Sequence, residues 1–169
     1  GGDQVVINPP AYNKPLSADN GGSYYNQGTD VTVESDGTLS GYTDMDVWTV
    51  KDNGDGTYSF SHDGKNIGMG DSFSSMPLGE KNDKWVLEDA GNGLYYVKNT
   101  VRNAYMEWYD SNGNWSAYYN IAEGSEGMFA LAFYKVTDVP GGSDEPDAPS
   151  AVEGLEVEAS PKSGASVVE

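Results

Sequence analysis

Val47-Trp48-Thr49-Val50-Lys51-Asp52-Asn53-Gly54-Asp55-Gly56-Thr57-Tyr58-Ser59-Phe60 and Lys84-Trp85-Val86-Leu87-Glu88-Asp89-Ala90-Gly91-Asn92-Gly93-Leu94-Tyr95-Tyr96-Val97 carry one pattern twice. Each runs Trp-x-(Val/Leu)-x-Asp, then a Gly-rich turn, then Tyr-x-(Phe/Val). A weaker third copy, Met128-Phe129-Ala130-Leu131-Ala132-Phe133-Tyr134-Lys135-Val136, puts Phe129 where the others have Trp. Trp85 lies 37 residues beyond Trp48, and Phe129 lies 44 beyond Trp85. A period of about 40 residues, met three times, predicts an architecture of three similar units. Trp48, Trp85 and Phe129 are expected at related buried positions, with Tyr58, Tyr95 and Phe133 filling the interior beside them. The units are expected to begin near Gln4, Tyr58 and Tyr95.

Around these copies the apolar runs are short, alternate with period two and are broken by Gly, Asn or Asp. No stretch shows sustained helical periodicity. The Asn53-Gly54-Asp55-Gly56 and Gly91-Asn92-Gly93 turns supply the residue types that tight hairpins demand. The sequence therefore predicts an all-β chain.

Composition narrows the function. The 169 residues suffice for one domain and a tail, and 37% hydrophobic content can build a core. Nine basic residues stand against 27 acidic ones, a net charge of −18, and Arg102 is the only arginine. Phosphate backbones and anionic membranes would be repelled, so neither nucleic acid nor membrane is expected as a partner. No apolar run is long enough to span a bilayer. With no Cys there is no disulfide and no thiolate chemistry. The acidic surface, rich in Tyr, Asn, Ser and Gly, points to an extracellular or cell-surface location.

Residues 3–138 form the repeating part. Pro140-Gly141-Gly142-Ser143-Asp144-Glu145-Pro146-Asp147-Ala148-Pro149-Ser150 cannot bury apolar area, so residues 139–150 are expected to be an acidic linker. Leu155-Glu156-Val157-Glu158-Ala159-Ser160 then alternates like a strand. Residues 151–169 resemble the opening of an immunoglobulin-like repeat of the chitobiase C-terminal type. The chain, which opens at Gly1-Gly2-Asp3, is thus expected to be one module of a longer protein.

The second half of each unit aligns as well. Leu16-Ser17-Ala18-Asp19, Ile67-Gly68-Met69-Gly70-Asp71 and Met106-Glu107-Trp108-Tyr109-Asp110 correspond, each after a polar turn and before a loop bearing Ser and aromatics. Four strands per unit and three units resemble the ricin-type β-trefoil, in which the units close a barrel and cap it with hairpins. The resemblance covers residues 3–138. The Gln-x-Trp motif of that family is matched by Asp46-Val47-Trp48, Asp83-Lys84-Trp85 and Gly127-Met128-Phe129, so Gln is replaced throughout. The style of the first repeat also resembles modules of large secreted proteins of anaerobic bacteria, which often carry a hydrolase or phosphoesterase elsewhere.

Catalytic chemistry finds little support. His62, the only histidine, falls in Ser61-His62-Asp63-Gly64 and reads as a turn residue rather than a general base. Asp52-Asn53-Gly54-Asp55-Gly56 has the oxygen-rich look of a calcium loop. The later acid that such a loop needs is missing, and the aligned copy at Glu88-Asp89-Ala90-Gly91-Asn92-Gly93 lacks the second acid. A turn accounts for both copies, so neither metal nor cofactor is expected.

Binding chemistry is better represented. Glu107-Trp108-Tyr109-Asp110-Ser111-Asn112-Gly113-Asn114-Trp115-Ser116-Ala117-Tyr118-Tyr119-Asn120 sets rigid rings among short hydrogen-bonding side chains, and Ser23-Tyr24-Tyr25-Asn26-Gln27 is a smaller version in the first unit. Aromatic faces stack on a pyranose while amides and carboxylates take its hydroxyls. In trefoil lectins an Asp opposite an aromatic accepts from vicinal sugar hydroxyls, and the resemblance puts Asp110, Asp19 and Asp71 in that place. The expected ligand-binding residues are Trp108, Tyr109, Asp110, Asn114, Trp115, Tyr118 and Tyr119, then Asp19, Tyr24 and Tyr25, with Trp115 as a stacking face. The expected function is a non-catalytic accessory module that binds carbohydrate. The rival is a spacer or docking module without a sugar ligand. An exposed aromatic cluster around Trp108 and Trp115 favours the first, and full burial favours the second.

Overall fold

The computed structural model describes residues 2–136 and 150–151. Most of the expected linker and of the immunoglobulin-like start therefore lies outside the described residues. The strands are β1 (Gln4–Asn8), β2 (Thr32–Val33), β3 (Leu39–Ser40), β4 (Trp48–Asp52), β5 (Tyr58–His62), β6 (Lys65–Asn66), β7 (Trp85–Gly91), β8 (Leu94–Asn99), β9 (Tyr105–Tyr109), β10 (Asn114–Tyr118), β11 (Ala132–Lys135) and β12 (Ser150–Ala151). Short 3-10 turns at Asp44–Asp46 and Glu126–Met128 precede Trp48 and Phe129.

Antiparallel pairing runs β1 to β4, β4 to β5, β5 to β7 and β7 to β8. Tyr95 in β8 exchanges backbone hydrogen bonds with Leu131, both 2.9 Å, just ahead of β11. β11 pairs with β1 in turn. The ring is closed, so these six strands have no free edge between them. β12 adds to β11 through the pairs Tyr134↔Ala151 and Lys135↔Ser150.

Alternation along each strand decides what fills the ring. Val5, Ile7, Trp48, Val50, Phe60, Trp85, Val97, Leu131 and Phe133 are all buried in one cluster, against which Tyr58, Leu87 and Tyr95 pack. Phe133 stacks on Phe60 at 5.9 Å and meets the edge of Tyr95 at 6.0 Å. The odd residues of β1 face this interior. Val6, on the other face, joins Leu39, Ala132 and Tyr134 in a second cluster under the β2–β3 hairpin. That hairpin is an insertion in the first unit, and it covers what would otherwise be an exposed barrel wall.

The threefold relation survives at atomic detail. Trp48 and Trp85 are fully buried, and each donates its indole N–H to a backbone carbonyl, Trp48 to Leu16 (2.9 Å) and Trp85 to Ile67 (3.1 Å). Phe129 is buried to the same degree without a donor to give. Where the family has Gln, Asp46 accepts from the Thr43 amide (2.8 Å) and the Thr29 hydroxyl (2.6 Å), and Asp83 accepts from the Asn66 amide group (2.9 Å). The replacement keeps a hydrogen-bonded anchor beside each Trp. Together the closed barrel and its threefold repeat make this a β-trefoil.

Candidate functional site

Each unit folds its second half back over one end of the barrel, and the matching positions follow from the backbone pairing. Leu16 bridges Gly28, Ile67 bridges Leu78 and Met106 pairs with Ala117. One residue on, the amide of Ser17 donates to Gln27, that of Gly68 donates to Pro77, and Glu107 pairs with Ser116. Ser17, Gly68 and Glu107 therefore occupy one position of the repeat. Only the third unit forms a full hairpin here. Pro15 and Pro77 bring no N–H to a ladder, which cuts the first two hairpins to isolated bridges.

That difference leaves room for a longer side chain at this position in the third unit. A Cβ added at Gly68 would sit 2.7 Å from the backbone oxygen of Asn82, so the second unit has no room for a side chain there. In the first unit Ser17 is buried, and its hydroxyl accepts from the Asp19 amide at 3.1 Å. In the third unit Glu107 lines a pocket of about 380 Å³. Tyr109, Asn112, Asn114, Ser116, Ala117, Tyr118 and Asn120 form its hairpin side. Tyr25 and Ser74 come from the other two units, and Ala122, Ser125, Met128 and Phe129 form the far wall. Backbone bonds fix the meeting of units: Trp115 N–H to Asn26 and Ala117 N–H to Ser74, both 2.9 Å. The Tyr25 hydroxyl lies 3.4 Å from that of Ser74.

Glu107 is the unusual group in this pocket. It is only 6% exposed, yet among the described residues its carboxylate has no hydrogen-bond donor and no ion-pair partner. Desolvation raises its pKa above the usual glutamate value. Among the described residues Asn8 Oδ1 is the one sealed side-chain atom without a partner, so the Glu107 oxygens are not shut in the core but open into the pocket as free acceptors.

The expected site residues divide sharply. Tyr109, Asn114 and Tyr118 line the pocket, as does Tyr25. Tyr119 is 69% exposed and lies against Tyr118, with ring centroids 4.7 Å apart. Tyr24, 82% exposed, is outside the pocket lining. Trp115 is fully buried, and its indole N–H donates to the Lys14 carbonyl at 3.0 Å. Trp108 is also buried, edge-on to Trp115 and against Gly28, where a Cβ would come within 2.5 Å of its ring. Neither tryptophan offers a face to solvent, which corrects the expectation of a Trp115 stacking platform. Period two explains it: Met106 and Trp108 share the inward face of β9, and Trp115 and Ala117 that of β10.

The aspartates are also displaced from their expected task. Asp110 is exposed and accepts from the Trp108 indole at 3.0 Å. Asp19 accepts from the Gly21 amide at 2.8 Å. Asp71 pairs with Lys81 at 2.7 Å and accepts from Asn82. None of the three lines the pocket. Glu107, the residue the sequence reading passed over, stands directly after the aligned Leu16, Ile67 and Met106, and that offset was the available signal.

Other candidates are occupied. Asp52 accepts from the Gly54 amide at 2.9 Å and Asp55 from the Thr57 amide at 3.1 Å, so both act within their turn. No group of three or more His, Cys, Asp or Glu among the described residues is placed to hold a metal ion. His62 closes on the Val47 carbonyl through Nδ1 at 3.0 Å. No helix among the described residues is long and apolar enough to cross a membrane.

No family model and no curated protein matches the chain. Solved structures do. SeviL bound to asialo-GM1 saccharide superposes with a TM-score of 0.60 at 16% identity, over 81% of this chain and 100% of that one. The Macrolepiota procera ricin B-like lectin in complex with lactose gives 0.60 at 9% identity, over 79% and 95%. A GlcNAcα1-4Gal releasing endo-β-galactosidase from Clostridium perfringens gives 0.63 at 11% identity, with 80% of this chain matching 33% of the enzyme. At such identities the likeness is one of fold, and it agrees with the β-trefoil derived from the pairing.

Proposed function

We propose that the chain is a non-catalytic carbohydrate-binding module with one working site, the pocket of the third unit. The observation that carries this reading is Glu107: a buried, unpartnered carboxylate in a pocket walled by Tyr25, Tyr109, Tyr118 and several short amides and hydroxyls. A saccharide would supply hydroxyl donors to the carboxylate and C–H faces to the rings. The saccharides named with SeviL and with the Macrolepiota lectin lend support from two proteins of the same fold. The endo-β-galactosidase, of which the matched part is a third, supports a role beside other domains in a larger extracellular bacterial protein.

A second reading, a spacer without a sugar ligand, is favoured by one observation, the burial of Trp108 and Trp115. A glycan-array screen of the chain alongside Glu107→Gln and Tyr109→Ala separates the two. Carbohydrate binding predicts hits that weaken in both variants, by roughly 1–3 kcal/mol for loss of a central aromatic. An array without hits supports the spacer, and hits indifferent to both substitutions move the site elsewhere.

A further inference from the structure

We infer that the third-unit pocket selects a saccharide bearing a free ammonium group, an amino sugar, over its neutral or acidic counterparts. This rests on the carbohydrate-binding reading and names the ligand class. Glu107 sits in the pocket with no donor and no cation to neutralise it. Among the described residues no Lys, Arg or His lines the cavity. The one arginine is spent elsewhere, its guanidinium donating to the Gly70 and Phe73 carbonyls. A neutral hydroxyl gives such a carboxylate a hydrogen bond and leaves its charge standing. An ammonium gives it a hydrogen bond and also cancels the charge, which a hydroxyl, though its bond to a carboxylate is charge-assisted too, leaves in place.

The walls suit the same ligand. Tyr25, Tyr109 and Tyr118 line the same cavity, and aromatic rings carry quadrupoles that favour a cation. Asn112, Asn114 and Ser116 remain to take ring hydroxyls, which a simple alkylammonium lacks. Across the whole chain the net charge of −18 raises the local concentration of cations and lowers that of uronic or sialic acids. Local and global charge therefore select in one direction.

The test is calorimetric titration of the full chain, and of Glu107→Gln, with glucosamine oligomers and with the same oligomers fully N-acetylated, at a pH where the amine is protonated. The wild type is expected to bind the free-amine oligomer about tenfold or more tightly than the acetylated one. In Glu107→Gln the two affinities should converge, with the circular dichroism spectrum unchanged. Equal or tighter binding of the acetylated oligomer by the wild type overturns the inference while leaving carbohydrate binding intact. A preference that persists in Glu107→Gln overturns it as well. A lysine peptide that binds as tightly as the glucosamine oligomer overturns the saccharide half. Failure of both oligomers to bind, with a glycan array also empty, overturns this inference and the reading beneath it.

Discussion

Glu107 and Trp115 sit eight residues of chain apart on paired strands, and their burial has opposite meanings. Trp115 has its donor satisfied and its ring enclosed, so it belongs to the core. Trp115→Ala should cost about 3–5 kcal/mol of stability, comparable to Trp48→Ala, as a large-to-small change in a packed interior. Denaturant unfolding of the two variants checks this, and a stable Trp115→Ala would return the residue to the ligand site. Glu107 is buried without its donor. Because desolvation raises its folded pKa above the unfolded value, the native state holds the extra proton between the two. Its contribution to stability is full below the unfolded pKa and is lost as pH rises through the folded one. Glu107→Gln mimics the protonated form. The variant should therefore be more stable than wild type at neutral pH, by under about 1 kcal/mol because the carboxylate opens into the pocket. That advantage should vanish once pH falls below the unfolded value. Paired thermal melts at neutral and acid pH measure it, and a variant less stable at neutral pH would reveal a partner for the carboxylate.

Among the elements, the three cap hairpins were legible as a repeat but not as three unequal structures. The alignment of Leu16, Ile67 and Met106 marks one position of the fold, and the backbone pairing agrees. Asp19, Asp71 and Asp110 recur in sequence, yet each has a different partner: the Gly21 amide within its own loop, Lys81 with Asn82, and the Trp108 indole. The proposed site falls where the units differ, at Ser17, Gly68 and Glu107. The insertion carrying β2 and β3 was likewise hidden, because its short strands bury only Leu39 deeply. Gly68 gives a direct check on why the second unit has no site. Gly68→Ala would push a methyl group onto the Asn82 backbone and should cost about 1–3 kcal/mol by overpacking. Urea unfolding reads the loss, and an unperturbed variant would mean that the second cap has room after all.

For the whole molecule, a period of about 40 residues with its alternating pattern was enough to predict three similar all-β units, and the resemblance to ricin-type chains supplied the trefoil. The site demanded more. Its pocket draws Tyr25 and Ser74 from the first and second units to the hairpin of the third, a meeting set by contacts between units rather than by any local motif. Of the three equivalent positions, the first holds a buried serine, the second a glycine close against backbone and the third Glu107 in its pocket. The central claim is therefore one site per chain, at Glu107. Amide chemical-shift mapping of the labelled chain, titrated with the saccharide giving the strongest array signal, tests it most directly. The account predicts shifts confined to residues 107–129 with Tyr25 and Ser74, and a stoichiometry of one. Shifts around Asp19 or Asp71, or three equivalents bound, would contradict it.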